Sequence, residues 1–188
     1  MSLVFAAIVP HPPVLIPNIG KENINKLSKT NEALKTLEQD LYASKPDIIL
    51  VISPHGEIQS KAFTINLSNK YTANFESFGD FATKLNFKGD TTLITTSKES
   101  ISGKFALNII SEPNLDHGTS IPLFCLTQHI EDARIIPIYF SMLDNLTHVE
   151  FGKALKEIIL STDKRIAILA SGDLSHCVTK KAPLPYHV

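Results

Sequence analysis

Four of the seven histidines in this 188-residue chain follow segments whose pattern predicts a strand or a turn. They are His11, His55, His117 and His176. His11 and His55 share a local pattern, because each comes after an apolar run and directly follows a proline. Neutral imidazole is a common ligand of zinc, iron and copper. The pair is therefore a candidate metal site, with ordinary hydrogen-bonding loop histidines as the alternative interpretation.

Two aspartates accompany the later histidines. Asp173 lies three residues before His176 and could either orient that imidazole or cap the following turn. Asp116 directly precedes His117, where a simple turn-forming role is an equal alternative. Ser171 also lies near His176, but the absence of a GxSxG motif disfavours a serine hydrolase.

Buried strands must present these side chains. The apolar runs Leu3 to Val9, Ile48 to Ile52 and Ile166 to Ala170, the last within a strand predicted over Arg165 to Ala170, are typical of strands covered on both faces. An amphipathic helix predicted over Glu22 to Ala43 joins the first two runs, and such a crossover predicts that these strands are parallel neighbours. Both strands then end at one edge of the sheet, where ligands of open α/β sheets bind.

Weaker signals complete the predicted fold, which is an α/β domain with a mixed, largely parallel sheet flanked by helices. We expect one domain over residues 1–188, truncated at its carboxyl end because no further element follows His176. Pro137 indicates an edge or a bulge in its strand, and Ser68 to Gly89 has no clear signal. The other predicted strands are Ala62 to Leu67, Leu107 to Ile110 and Arg134 to Phe140, and the other predicted helices are Asp90 to Ala106, Thr119 to Gln128 and Asn145 to Leu160.

Composition excludes several classes of function. Lys and Arg number 18 against 19 Asp and Glu, so the clustered positive charge that nucleic acids require is absent from the sequence. The two cysteines lack metal-site spacing, which favours a reduced, cytoplasmic protein. The stretch Leu3 to Val9 is too short to span a bilayer and has no basic residue before it, so we expect neither a membrane segment nor a signal peptide.

Four motifs, taken in order and at these intervals, resemble one known family. The chain is similar to the LigB-type, class III extradiol ring-cleavage dioxygenases, above all to the bacterial branch found as a module of the AmmeMemoRadiSam system, with the Memo proteins as more distant relatives. The motifs are Pro10-His11-Pro12-Pro13, Ser53-Pro54-His55-Gly56, Leu115-Asp116-His117-Gly118 and Ser171-Gly172-Asp173-Leu174-Ser175-His176.

The resemblance implies a mononuclear non-haem Fe(II) enzyme that binds a catechol-like aromatic diol and O₂ and opens the ring beside the diol. His11 and His55 then match the two histidine ligands, His176 the acid-base histidine, and His117 a second histidine facing the substrate. Two histidines and one carboxylate on one face of the ion leave open positions for both substrates. Members of this family often work as homo-oligomers.

The third ligand expected from the resemblance is a glutamate beyond Val188. Glu57 is a conceivable substitute, although it is not at the family position. Two histidines without a carboxylate should hold Fe(II) weakly, which leaves two alternatives open. One is a non-catalytic metal-binding or partner-binding Memo-like module, and the other is a zinc-dependent hydrolase, since the same ligands suit Zn²⁺.

Overall fold

The computed structural model describes residues 2–95, 101 and 103–173, which form an eight-stranded sheet with helices on both faces. The predicted mixed, largely parallel α/β fold is confirmed. The strands are β1 (Leu3–Val9), β2 (Ile48–Ser53), β3 (Phe63–Asn66), β4 (Lys70–Phe75), β5 (Asp80–Gly89), β6 (Leu107–Ile110), β7 (Arg134–Tyr139) and β8 (Ile166–Ser171). The helices are α1 (Pro17–Gly20), α2 (Ser28–Ser44), α3 (His117–Leu126) and α4 (Asn145–Ser161), with 3-10 turns at Pro13–Leu15, Lys21–Leu27 and Glu76–Phe78.

The main sheet has the strand order β1-β8-β2-β7-β3-β6. Strands β1, β8, β2 and β7 run parallel, as predicted for β1 and β2, but β8 lies between those two strands. The prediction that β1 and β2 are neighbours was therefore wrong. The apolar run of β8 is suited to this interior place, because its two faces contribute to separate apolar cores. The carboxyl ends of β1, β8 and β2 still meet at one edge of the sheet.

Strand β7 is an interior strand, although Pro137 predicted an edge or a bulge. Its register against β2 is regular, with Pro137 opposite Val51. On its other side, β5 pairs with Arg134 and Ile135, whereas β3 pairs with Ile138 and Tyr139. Pro137 falls between these two partners, so the missing N–H of the proline interrupts neither ladder.

The segment without a clear signal forms a hairpin of β4 and β5. These strands pair antiparallel over most of their length. Strand β5 joins the main sheet only through Lys88 opposite Arg134 and Gly89 opposite Ile135. Beyond these two pairs the hairpin separates from the sheet, and α3 packs against β4 on one side and against β2 and β8 on the other.

Helices cover the two faces of the sheet unequally. Helices α2 and α3 pack on the face that carries Val9, Val51 and Leu169, whereas α4 packs on the face that carries Leu50 and Ile136. None of the described helices is both long and apolar enough to cross a membrane.

Three helix predictions need correction or completion. Helix α2 begins at Ser28 rather than Glu22. Residues Lys21–Leu27 before it form a 3-10 segment, and Lys21 at its start has a φ of 47°. The apolar spacing within Asn145 to Leu160 predicts Val149 on the same side as Leu155, but Val149 is 55% exposed and does not belong to the core side of α4. Asp90 begins a helical turn as predicted, since its carboxylate accepts hydrogen bonds from the Thr92 and Leu93 N–H groups, but residues 96–100 and 102 lie outside the described part.

Candidate metal centre

His11 and His55 lie side by side at the carboxyl edge of the sheet. His11 follows the end of β1 and His55 follows the end of β2, each by two residues. Their Nε2 atoms are 3.0 Å apart, and the His11 side chain is almost completely buried. Two parallel strands that end at one edge thus bring together two imidazoles that are 44 residues apart in sequence.

His117 joins this pair from the first turn of α3. The ligand atoms of His11, His55 and His117 all lie within 4.8 Å of one another, and we term this group the histidine cluster. The ring centroids of His55 and His117 are 4.0 Å apart, with a tilt of 37°. The family resemblance implied that His117 faces the substrate, but its position also permits a role as a metal ligand.

The histidine cluster fits a metal ion. Imidazole nitrogens bind zinc at about 2.0–2.1 Å, so two ligands are about 3.3 Å apart on a tetrahedral ion and, at the same bond length, about 2.9 Å apart at the right angles of an octahedral ion. The 3.0 Å distance between the Nε2 atoms of His11 and His55 lies between these two distances.

The end of β8 supports His11. The Ser171 hydroxyl lies 2.9 Å from Nδ1 of His11, and the carboxylate Oδ2 of Asp173 lies 3.7 Å from Nε2. An Nδ1–H that donates to Ser171 leaves the lone pair of Nε2 directed at the cluster, which is the tautomer a metal requires. Ser171 is thus a candidate functional residue as a hydrogen-bond partner, a role that the sequence analysis did not consider.

Asp116 joins β2 to the start of α3. Its carboxylate accepts hydrogen bonds from the Ser53 hydroxyl at 2.7 Å and from the Thr119 N–H at 3.0 Å. The Ser53 hydroxyl in turn accepts the His55 N–H at 3.1 Å. Asp116 is therefore the N-cap of α3, and its network also holds the loop that carries His55.

The capping role replaces the turn-forming alternative for Asp116, and the predicted helix start was wrong. Helix α3 begins at His117, two residues before the predicted start at Thr119. Pro122 then occupies the sixth position of the helix instead of its first turn. The early start brings the His117 side chain beside His55, which follows the end of β2.

Two glycines allow the close packing around His55. Gly56 has a φ of 89°, and a Cβ at this position would lie 2.7 Å from the Tyr139 ring. A Cβ at Gly118 would lie 2.5 Å from Oγ of Ser53 and 2.9 Å from Cδ2 of His55. Side chains at either position would displace the groups that hold the cluster together.

Electrostatics favours a neutral His117. Burial is the largest effect and lowers the pKa of His117, and the adjacent His55 lowers the pKa further, while Asp116 acts in the opposite direction. Neutral imidazole is the form that binds metals or accepts a proton. The Phe78 ring, with its centroid 5.5 Å from that of His117, adds an apolar surface beside the cluster.

Two other candidates are not part of the histidine cluster. Glu57 is exposed, and its Oε1 accepts hydrogen bonds from the Gln59 and Asn108 amides, so it does not replace the expected carboxylate ligand. His176 lies outside the described residues, as does the contact between it and Asp173 that the sequence suggested.

The chain belongs to the LigB family, described as the catalytic LigB subunit of aromatic ring-opening dioxygenase, which matches residues 5–188. The resemblance of the four motifs to the LigB-type family is therefore confirmed. Protein CA_C1420 of Clostridium acetobutylicum is 25% identical over all of this chain and 42% of that protein. The 2-aminophenol 1,6-dioxygenase beta subunit of a Pseudomonas species is 24% identical over 98% of this chain and 66% of the subunit.

Two further similarities are consistent with the family. The 4,5-DOPA dioxygenase extradiol of Beta vulgaris is 24% identical over 81% of this chain and 58% of that protein. The crystal structure of uncharacterized protein JW3007 from Escherichia coli K12 matches with a TM-score of 0.57 at 16% identity, covering 79% of this chain and 54% of that one. The structural match supports the fold alone. The chain spans less than two thirds of the length of each of these relatives.

Proposed function

We propose that this chain contributes the iron-binding histidines of an extradiol dioxygenase that opens an aromatic ring bearing two adjacent hydroxyl groups, or a hydroxyl and an amino group. The observation that carries the proposal is the 3.0 Å approach of the His11 and His55 Nε2 atoms at the carboxyl edge of the sheet. Membership of the LigB family supports the reaction class, since the family is described by an aromatic ring-opening dioxygenase and two similar proteins are named as dioxygenases.

Each residue has a definite task in this proposal. His11 and His55 hold Fe(II), which when bound supplies open coordination positions for a chelating diol and O₂. Ser171 keeps His11 in its ligating tautomer through the contact at Nδ1. His117 accepts the proton of a substrate hydroxyl, for which its lowered pKa keeps it neutral. His176 is the proposed acid-base partner.

The third ligand is either the glutamate expected beyond Val188 or a group already near the cluster. Asp173 places a carboxylate oxygen 3.7 Å from Nε2 of His11, which is within reach of a shared ion. With Asp173, the chain itself would supply two histidines and one carboxylate. His117 is the competing ligand, because its ring nitrogen belongs to the histidine cluster.

A second function, zinc-assisted hydrolysis, is favoured by the third imidazole. Three histidines and one water form a common catalytic zinc site. The Memo-like alternative, in which the metal site serves binding without catalysis, uses the same histidines. Metal identity and oxygen consumption together separate the three.

The test uses the full chain, stripped of metal and then loaded with Fe(II) or with Zn²⁺ under anaerobic conditions. Oxygen uptake and visible absorbance are followed with catechol, 2-aminophenol and a buffer control. We expect oxygen consumption and a coloured ring-opened product only in the iron-loaded protein. Iron-loaded protein that consumes no oxygen with any of these substrates would refute dioxygenase activity, and ester hydrolysis by the zinc form would favour the hydrolase.

Substitutions assign the ligands. His11→Ala and His55→Ala should each reduce bound iron severalfold, whereas His129→Ala, which removes an exposed histidine paired with Glu38, should leave iron content unchanged. His176→Ala should retain iron and lose activity. Equal loss of iron from the His176 and His11 variants would show that His176 is a metal ligand and not the acid-base residue.

The third ligand is identified in the same way. Asp173→Asn reduces iron content if Asp173 is the carboxylate ligand, while His117→Ala then retains it. The reverse result assigns the third position to His117. Retention of iron in both variants would favour the glutamate expected beyond Val188.

A further inference from the structure

A cavity lies at the opposite edge of the sheet from the histidine cluster. Strand β5 pairs with the main sheet only at Lys88 and Gly89. Helix α3 fills the space between the hairpin and the sheet, but it ends at Leu126. The space below the end of α3 is left open, with a volume of about 880 Å³. It adjoins Ala133, directly before the amino end of β7. We term it the hairpin cavity.

Apolar side chains line the hairpin cavity. Five of them are only partly buried, although all pack against the core on their inner side. They are Leu85 and Phe87 of β5, Phe124 of α3, and Ile130 and Ala133 of the following loop. This volume lies within the usual range of about 300–1,000 Å³ for ligand pockets. An apolar chain that entered here would remove these surfaces from water.

Positive charge marks one side of the opening. Lys70 and Lys88 both line the hairpin cavity and stand directly opposite each other across β4 and β5. Like charges at opposite positions on a sheet destabilise the pairing. The Lys88 ammonium is 3.9 Å from the Asp132 carboxylate, and both side chains are largely exposed, so this contact relieves little of the repulsion. An anionic group between the two lysines would relieve it.

We propose that the hairpin cavity binds an amphipathic monocarboxylate, with its apolar chain against Phe87 and Phe124 and its carboxylate at the rim, where Lys88 reaches the loop after α3 and Lys70 stands beside it. Charge complementarity selects the anion, while the apolar walls select the chain. Glu131 on the same rim disfavours a second negative charge, so the ligand has a single anionic head. The hydroxyl of Tyr71, which also lines the cavity, is already engaged with the Asn66 carbonyl and the Ser68 N–H, so the head group is held by the lysines. The proposal does not depend on the reaction at the histidine cluster.

Titration calorimetry of the full chain tests the proposal with three probes of equal chain length: octanoate, octanol and octyltrimethylammonium. We expect saturable binding of octanoate, at least tenfold tighter than that of the cation, with octanol between them. The Lys70→Gln, Lys88→Gln double variant should weaken octanoate binding at least fivefold and leave octanol binding unchanged. Lys84→Gln is the matched control, because Lys84 is on β5 but pairs with Glu76 outside the cavity.

A second variant tests the apolar part. Ala133→Phe fills the hairpin cavity and should weaken the binding of all three probes. Circular dichroism checks that this variant folds, and if it does not, the lysine variants alone decide the test. His11→Ala should bind octanoate like the unaltered chain, since the histidine cluster lies at the other edge. The proposal is overturned if octanoate does not bind saturably or binds no more tightly than the cation. It is also overturned if octanoate affinity is unchanged in the double lysine variant or in folded Ala133→Phe protein.

Discussion

Replacing Gly118 by alanine should damage both the stability of the fold and the metal affinity of the histidine cluster. The new methyl group would lie 2.5 Å from Oγ of Ser53 and 2.9 Å from Cδ2 of His55, closer than ordinary van der Waals contact. Overpacking of this kind costs about 1–3 kcal/mol, whereas the better helix propensity of alanine returns about 0.5–1 kcal/mol. We therefore expect a net loss of up to about 2.5 kcal/mol in the free energy of unfolding.

Metal binding should fall for a separate reason. Relief of the clash requires a shift of the His55 ring or of the Ser53 hydroxyl that accepts the His55 N–H. We expect metal affinity to fall about tenfold, which corresponds to about 1.4 kcal/mol. Urea denaturation measures the stability, and anaerobic titration calorimetry with Fe(II) or Zn²⁺ measures the affinity.

Gly152→Ala is the matched control for this substitution. Gly152 is an exposed residue of α4, and a Cβ there would meet no atom within 4 Å. Alanine should thus stabilise the protein by about 0.5–1 kcal/mol and leave metal binding unchanged. The reasoning is refuted if Gly118→Ala is as stable as Gly152→Ala and binds metal as tightly as the unaltered chain.

Three further substitutions test the site and the fold. Ser171→Ala removes the contact at Nδ1 of His11 and should weaken metal binding about tenfold in the same calorimetric titration, with a loss of about 0.5–1.5 kcal/mol in the free energy of unfolding because a buried hydrogen bond is removed. Tyr71→Phe leaves a buried N–H and a buried carbonyl without a partner and should cost about 1–3 kcal/mol in urea denaturation. The pKa of Asp80 is lowered, mainly by the Thr83 side chain, so its stabilising effect is present above the unfolded pKa of 3.8 and is lost as pH falls through the folded value. Asp80→Asn should accordingly flatten the decline of stability below about pH 4, and an unchanged acid profile would contradict this assignment.

Local patterns sufficed for most of the fold. The strand runs at β1, β2 and β8 and the helices α2 and α4 follow from apolar periodicity over ten or twenty residues, because burial of a strand or a helix face is a local property of the sequence. The positions of His11 and His55 at one edge also follow from sequence, since both come directly after parallel strands. These two residues are the part of the site that sequence reasoning placed together.

The strand order could not be obtained in this way. Placing β8 between β1 and β2 depends on a comparison of packing energies between elements more than 100 residues apart, which no local window contains. The hairpin of β4 and β5 was missed although Lys70 to Phe75 alternates polar and apolar residues, because Asn, Ser and Gly residues typical of loops are scattered through the stretch Ser68 to Gly89. The place of Pro137 depends on where β5 ends and β3 begins along β7.

The sequence by itself determined the residue types of the site, two histidines after strands and an Asp-His pair before a helix. Only the tertiary structure decided that His117 joins the histidine cluster and that Ser171 contacts His11, which is 160 residues away in sequence. It also decided that the Ser53 hydroxyl donates to the Asp116 carboxylate, which connects the loop carrying His55 to the start of α3. The physical reason is that strand and helix propensities act between near neighbours in sequence, whereas the distances between imidazoles are set by how distant elements pack.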